Sequence, residues 1–269
     1  ITLVIGAAMS LIADCIPMPF RHHAVIASTL IVLAVAQPAA TTEIDHAKQY
    51  RDCIALSKIA PNEAFGSALA WRDLGGGEAA EHCVAASLVA LQQFAEAATR
   101  LEALAQRTRR AASIKAGLLG HAAQAWLLDG KPERAETVLT TALRLTPDQP
   151  DLLVDRAQAR ADLNDYASAI EDLNRAIDIH GGSADAFAFR AAAQRHLEQP
   201  EAALRDVGYA LALDLLHPEA LLERGNLRRI KGDEHGARKD WMMVLSVAPN
   251  TPAADAARAN LEDMDVNKQ

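Results

Sequence analysis

Apolar and small residues in the second half of the chain recur at spacings of three, four and seven, the pattern of a helical face. Setting Ala116, Pro150, Ala184 and Pro218 in phase gives four windows of 34 residues with no insertion. One column reads Leu119, Leu153, Phe187 and Leu221, and four residues on stand Ala123, Ala157, Ala191 and Gly225. In the second half of the windows, Ala135, Ala169, Ala203 and Ala237 precede Leu139, Leu173, Val207 and Trp241, then Ala142, Ala176, Ala210 and Val244. Breakers divide each window near Gly130, Asn164, Pro200 and Gly232, and Thr146-Pro147, Gly181-Gly182, His217-Pro218 and Ala248-Pro249 close the windows. Each window therefore predicts a helix–turn–helix, with small columns where the two helices cross and large columns between windows.

After the last window, Thr251 as N-cap and Pro252 as first helical residue predict one more helix to about Met264, followed by a tail at 265–269. Its Asp255, Arg258, Glu262 and Asp263 can face water, so it suits a lid over the last apolar face. Upstream, from 41 to 115, the phase loosens. Glu78 to Gln106 holds two helical runs around Gln92-Gln93-Phe94, and a Gln106–Arg110 linker makes this unit about four residues longer. Asp45 to Leu74, broken at Ala60-Pro61-Asn62, predicts another helical pair, and Gly75-Gly76-Gly77 a flexible loop after it.

From Ala116 to Thr251, the period, the paired small residues and the terminal prolines resemble the tetratricopeptide repeat, although Leu replaces the family's opening aromatic in three of four windows. The resemblance implies an all-α, right-handed α-solenoid, four repeats over 116–251 with a capping helix at 252–264, and first helices lining a concave face. It also implies a protein that binds other proteins, without catalysis or cofactor.

The beginning of the chain reads differently. Met18 to His23 is basic, Ala24 to Ala36 is apolar, and small residues follow to Ala40, the three parts of a secretory signal peptide at 18–40. Cleavage is expected after Ala36 or Ala40, giving a periplasmic or secreted protein of bacterial type. Residues 1–17 read as an over-extended start ahead of Met18. The apolar runs are short for membrane helices, which need ~20 residues, so no membrane span is expected after cleavage. Export leaves Cys53 and Cys83, an even number in an oxidising compartment and a candidate disulfide on the first helices of consecutive degenerate units.

Composition narrows the classes. Half of the residues are hydrophobic but only 4% aromatic, and the net charge is −8, which removes the basic footprint expected of a nucleic-acid binder. Three windows place Arg156, Arg190 and Arg224 in one column, each with an aspartate sixteen residues on, Asp172, Asp206 and Asp240. The window without the arginine has Ala122 and Val138 at both places. This joint switch predicts structural ion pairs between the two helices, because an unpaired charge there would cost several kcal/mol; a ligand-binding arginine ladder is the alternative.

The less apolar positions of the first helices are His121, Gln124, Asp151, Asp155, Gln158, Asp162, Asp185, Phe189, His196, Glu219, Glu223 and Asn226. They form either a solvated helix face or a groove for a peptide or protein segment of some basic character. No catalytic constellation emerges. His82-Cys83 with Cys53 lacks the close-set second pair of a zinc site, and the glycine triplet lacks the lysine of a phosphate loop. The expected function is a scaffold for a protein or peptide partner. Two other readings stay open: a docking module of an enzyme or metal-binding protein using 45–110, and a self-assembling homo-oligomer.

Overall fold

The computed structural model describes residues 45–266, so the expected start at 1–17, the signal segment 18–40 and most of the tail lie outside the described residues. Thirteen α-helices and no strand fill that range. They run α1 (His46–Ile59), α2 (Pro61–Trp71), α3 (Gly77–Ala90), α4 (Phe94–Arg107), α5 (Ala112–Leu128), α6 (Pro132–Leu145), α7 (Pro150–Asp162), α8 (Tyr166–His180), α9 (Ala184–His196), α10 (Pro200–Leu213), α11 (Pro218–Ile230), α12 (Glu234–Val247) and α13 (Pro252–Val266). Among the described residues no helix is long and apolar enough to cross a membrane.

The helices from α5 to α12 form four hairpins, one per window, and the backbone repeats as faithfully as the sequence. In every window the residue ending the turn returns its N–H to a carbonyl five residues back: Lys131 to Trp126, Asp165 to Arg160, Gln199 to Gln194 and Asp233 to Arg228, at 2.8–2.9 Å. The turn before it carries a left-handed residue, Gly130, Asn164, Glu198 or Gly232. This is the helix-ending arrangement that satisfies the last carbonyls of the first helix. Gln92, with φ of 60°, and the Gln93-to-Leu88 bond repeat it between α3 and α4, so the hairpin before the windows is built in the same way. The hairpin of α1 and α2 is not: they meet at Ala60-Pro61, where proline at the first position of α2 simply ends one helix and starts the next.

Side-chain sizes compensate within the columns. Trp241 occupies the column that elsewhere holds Leu or Val, and it fits because Gly225 faces it; a Cβ on Gly225 would lie 2.4 Å from the Trp241 Nε1. The three tryptophans, Trp71, Trp126 and Trp241, are all fully buried. α13 closes the end of the stack, burying Ala253, Ala254, Ala257, Leu261 and Met264, and Thr251 caps it by accepting the Ala254 N–H at 3.3 Å. It runs two residues past the expected end at Met264.

The glycine triplet lies at a short, tight kink: Arg72–Gly76 joins α2 to α3 across non-helical backbone at Gly75. Gly75 supplies the left-handed φ of 90° this kink needs, and Gly76 is packed so closely that a Cβ would sit 2.7 Å from both the Trp71 ring and Ala80. The burial of Trp71 thus fixes the segment.

Successive first helices touch, α1 with α3, α5 with α7, α7 with α9 and α9 with α11, while the second helices of the four hairpins make no comparable contact with each other. Hairpins that stay close along one edge and spread along the other must curve. The first helices therefore line the inner side of an α-solenoid.

Candidate functional site

The two sides of the hairpins differ in how their charges are satisfied. Between the helices, Arg156 holds Asp172 with two bonds at 2.8 and 2.6 Å, Arg190 holds Asp206 at 2.7 and 2.7 Å, and Arg224 holds Asp240 at 2.9 and 2.8 Å. The three aspartates are only 5, 3 and 2% exposed. A planar guanidinium fits a carboxylate bidentately, and burial makes each half indispensable to the other. Arg160 and Arg228 add a second cation to Asp172 and Asp240, at 2.8 and 2.7 Å. The same arginines reach the preceding hairpin: Arg156 donates to Thr140, Arg190 to Asn174 and Arg160 to Glu136. They tie the second hairpin of the windows to the first and the third to the second. Where the first window has Ala122 and Val138, both are buried in apolar packing.

The groove candidates fall into columns along the inner side. His121, Asp155, Phe189 and Glu223 share one; Gln124, Gln158 and Asn226 share another, which Ala192 interrupts; Asp151, Asp185 and Glu219 share a third with Gly117; Asp162 and His196 share the last. The structure does not leave all of them free. Glu223 is 3% exposed and gripped by Arg195, and Asn226 donates to it while accepting from Trp241 and Asn260. These two serve packing at the C-terminal end, a correction to the candidate groove. Phe189 packs against Ala157 and Leu173, and His196 stacks on Tyr166 with ring centroids 4.4 Å apart.

Toward the N-terminal end the inner side opens. Tyr50 of α1, His82 of α3 and His121 of α5 form a hydrogen-bonded string: the Tyr50 hydroxyl meets His82 Nδ1 at 2.9 Å, and His82 Nε2 meets His121 Nδ1 at 3.1 Å. Burial, with His121 adjacent, pushes His82 down to about 4, and burial also lowers His121, so both imidazoles are neutral at pH 7. Beside them lies a cavity of about 510 Å³ with Ile114, Leu118 and Leu104 among its walls and Glu78 and Arg110 also on its lining. Cys53 and Cys83 hold α1 against α3 through a disulfide, with Cα atoms 6.3 Å apart.

A second cavity of about 270 Å³ follows between α5 and α7, sharing Ser113, Gly117 and His121 with the first and reaching Gln124, Asp151 and Asp155. Here, among the described residues, Asp155 is met only by the Gln124 amide, at 3.2 Å. Burial raises its carboxyl to about 6, with Asp151 and Asp185 adding to the rise against the Gln124 bond. Asp185 in turn accepts from His217 Nε2 at 3.0 Å, which lowers Asp185 and raises His217.

Asp185, His217 and Glu219 bring three potential metal ligands within 4.8 Å of one another. Their bonds use both imidazole nitrogens, however: Nδ1 accepts the Ala220 N–H at the start of α11, while Nε2 serves Asp185. Both carboxylates lie in first turns of helices, where free N–H groups already favour them. The trio is a capping arrangement.

Sequence and structure comparisons bear on this geometry. Residues 122–184 match the tetratricopeptide repeat family. The Protein SGT1 homolog of Oryza sativa subsp. japonica is 33% identical over 103 residues, 38% of this chain, and the match spans 28% of that protein's length. Among solved structures, yeast Tom70 superimposes with a TM-score of 0.61 at 16% identity, covering 81% of this chain and 47% of Tom70. A thermophilic TPR protein of Thermus thermophilus does so with a TM-score of 0.56 at 19% identity, covering 67% of this chain and 98% of that one. The likeness to both is one of fold.

Proposed function

We propose that this chain of tetratricopeptide repeats is an interaction scaffold that holds a segment of a partner protein along its inner side and catalyses no reaction. One contrast carries the reading. Every buried aspartate between the helices has an arginine, whereas Asp155, half-buried on the inner side and lining the second cavity, has none among the described residues. A folded chain that pairs its buried acids so fully keeps this one available, and binding sites are where local stability is commonly given up.

The Cys53–Cys83 bridge supports export, because such bonds persist in oxidising compartments. Together with the signal pattern at 18–40 it favours a periplasmic or secreted location. The alternative of chemistry in the 45–110 region finds one feature there, the Tyr50–His82 pair, which continues to His121 of α5 outside that region; among the described residues no hydrogen bond joins the neighbouring Ser113 to either imidazole.

The test is partner retention from an extract of the native host. Asp151→Lys/Asp155→Lys should lose the proteins that the unaltered chain retains, while Glu171→Lys, on an exposed position of the second helix α8, should keep them. Equal retention by both variants at unchanged melting temperature would refute the inner-side scaffold.

A further inference from the structure

We propose that the segment held on the inner side is basic: it seats one bulky apolar side chain in the cavity between α3 and α5 and sets a lysine or arginine against Asp151 and Asp155 about three residues away. This rests on the scaffold reading above and specifies its occupant.

The two cavities form one continuous site with two unlike halves. They share Ser113, Gly117 and His121, so an extended chain can pass from one to the other without leaving the inner side. Gly117 makes this possible. It stands in the column that the next three windows fill with Asp151, Asp185 and Glu219, and a Cβ built there meets nothing within 4 Å, so the space over α5 is open. A carboxylate at that position would have charged the apolar half; glycine keeps it neutral.

The first half suits an apolar group. Ala47, Ala79, Leu104, Ile114 and Leu118 supply its aliphatic walls, and the His82 and His121 imidazoles are uncharged at pH 7 and occupied with each other and with Tyr50, while His46 accepts from the Trp71 Nε1–H. Glu78 and Arg110 offset one another at 3.6 Å, so neither leaves a net charge for a ligand to meet.

The second half suits a cation. Asp151 is exposed, and among the described residues Asp155 is held only by an amide and neither has a basic partner within ion-pair distance, unlike Asp172, Asp206 and Asp240. A guanidinium or ammonium entering here would relieve carboxylate repulsion and supply the donors that Asp155 lacks. An acidic segment would meet the opposite, two carboxylates and no counter-charge, so charge selects against it. Adjacent packed helices lie ~8–10 Å apart, and an extended chain advances ~3.3 Å per residue, so apolar group and cation must stand about three residues apart.

The test uses the full chain and fluorescein-labelled octapeptides of Gly and Ser carrying Leu and Arg three residues apart, one for each chain direction. Fluorescence anisotropy should show at least one of them binding tenfold or more tightly than its counterparts with Glu for Arg or Ser for Leu. Asp151→Asn/Asp155→Asn should erase the preference for Arg and keep that for Leu. Gly117→Leu, which fills the cavity from a site with room for a side chain, should erase the preference for Leu and keep that for Arg. The proposal is overturned if neither peptide binds below millimolar concentration, or if the Glu counterpart binds as well. Tight binding of the Glu peptide that Gly117→Leu abolishes would overturn the basic occupant while upholding a groove; retention of partners by the charge-reversed chain would overturn the scaffold itself.

Discussion

Asp155→Asn should make the protein more stable, and the gain should grow with pH. Asp155 titrates at about 6 in the fold against 3.8 for an unperturbed carboxyl, so the native state holds this proton more tightly than the unfolded chain does. Stability contributed by the group is therefore lost as pH rises from about 4 through about 6 and does not return above it. At ~1.4 kcal/mol per unit, the shift corresponds to a penalty of at most ~3 kcal/mol at pH 8 and roughly half that at pH 5. Partial exposure of the residue makes ~1–2 kcal/mol at pH 8 the more realistic gain. Asparagine keeps the shape and can still bond Gln124, so little else changes. Urea denaturation midpoints at pH 5 and pH 8 give the answer, because any pH-independent difference between Asp and Asn cancels between the two. A gain that does not increase with pH, or a loss at pH 8, would refute the reasoning that Asp155 is a half-buried acid left without a counter-charge.

Three further outcomes are expected. Asp206→Ala should destabilise by roughly 1–4 kcal/mol by stranding Arg190, and Arg190→Ala/Asp206→Val, the pair of types found at Ala122 and Val138, should recover much of that loss in a double-mutant cycle; a coupling energy of zero would show the pair to be unimportant. Reducing the Cys53–Cys83 bridge, which closes 30 residues, should cost ~3–4 kcal/mol in the chain-entropy picture; thiol titration of the oxidised, unfolded chain should find none free, and two reactive thiols would contradict the bridge. Protein from the native host should begin near Gln37 or Thr41, and Edman sequencing that finds 18–36 intact would end the export reading.

The parts of this architecture legible in the sequence are those that repeat. A column of 34-residue spacing exposes both the helical hairpins and the Arg–Asp ladder, because each window tests the others. The second arginines, Arg160 and Arg228, stand in such a column too, with Gln194 between them, and comparison of that column with Asp172 and Asp240 would have found them. What lay beyond reach depends on contacts between windows whose phase is broken. Tyr50, His82 and His121 are 32 and 39 residues apart, so no single period links them. Glu223 looks like its groove neighbours on the helix face, but Arg195 from α9 buries it. The glycine triplet carries the ordinary signal of a loop; the placing of Trp71 against Gly76 is what tightens it into a kink between two packed helices.

The central claim is that the partner lies along the first helices. Site-specific photo-crosslinking measures this directly, with p-benzoylphenylalanine placed in the native host at Gln158, half-buried on the inner side of α7, or at Glu171, exposed on α8. A discrete cross-linked band from position 158, absent from position 171 and lost in Asp151→Lys/Asp155→Lys, is the predicted result. Cross-links from position 171 with none from position 158 would contradict the account.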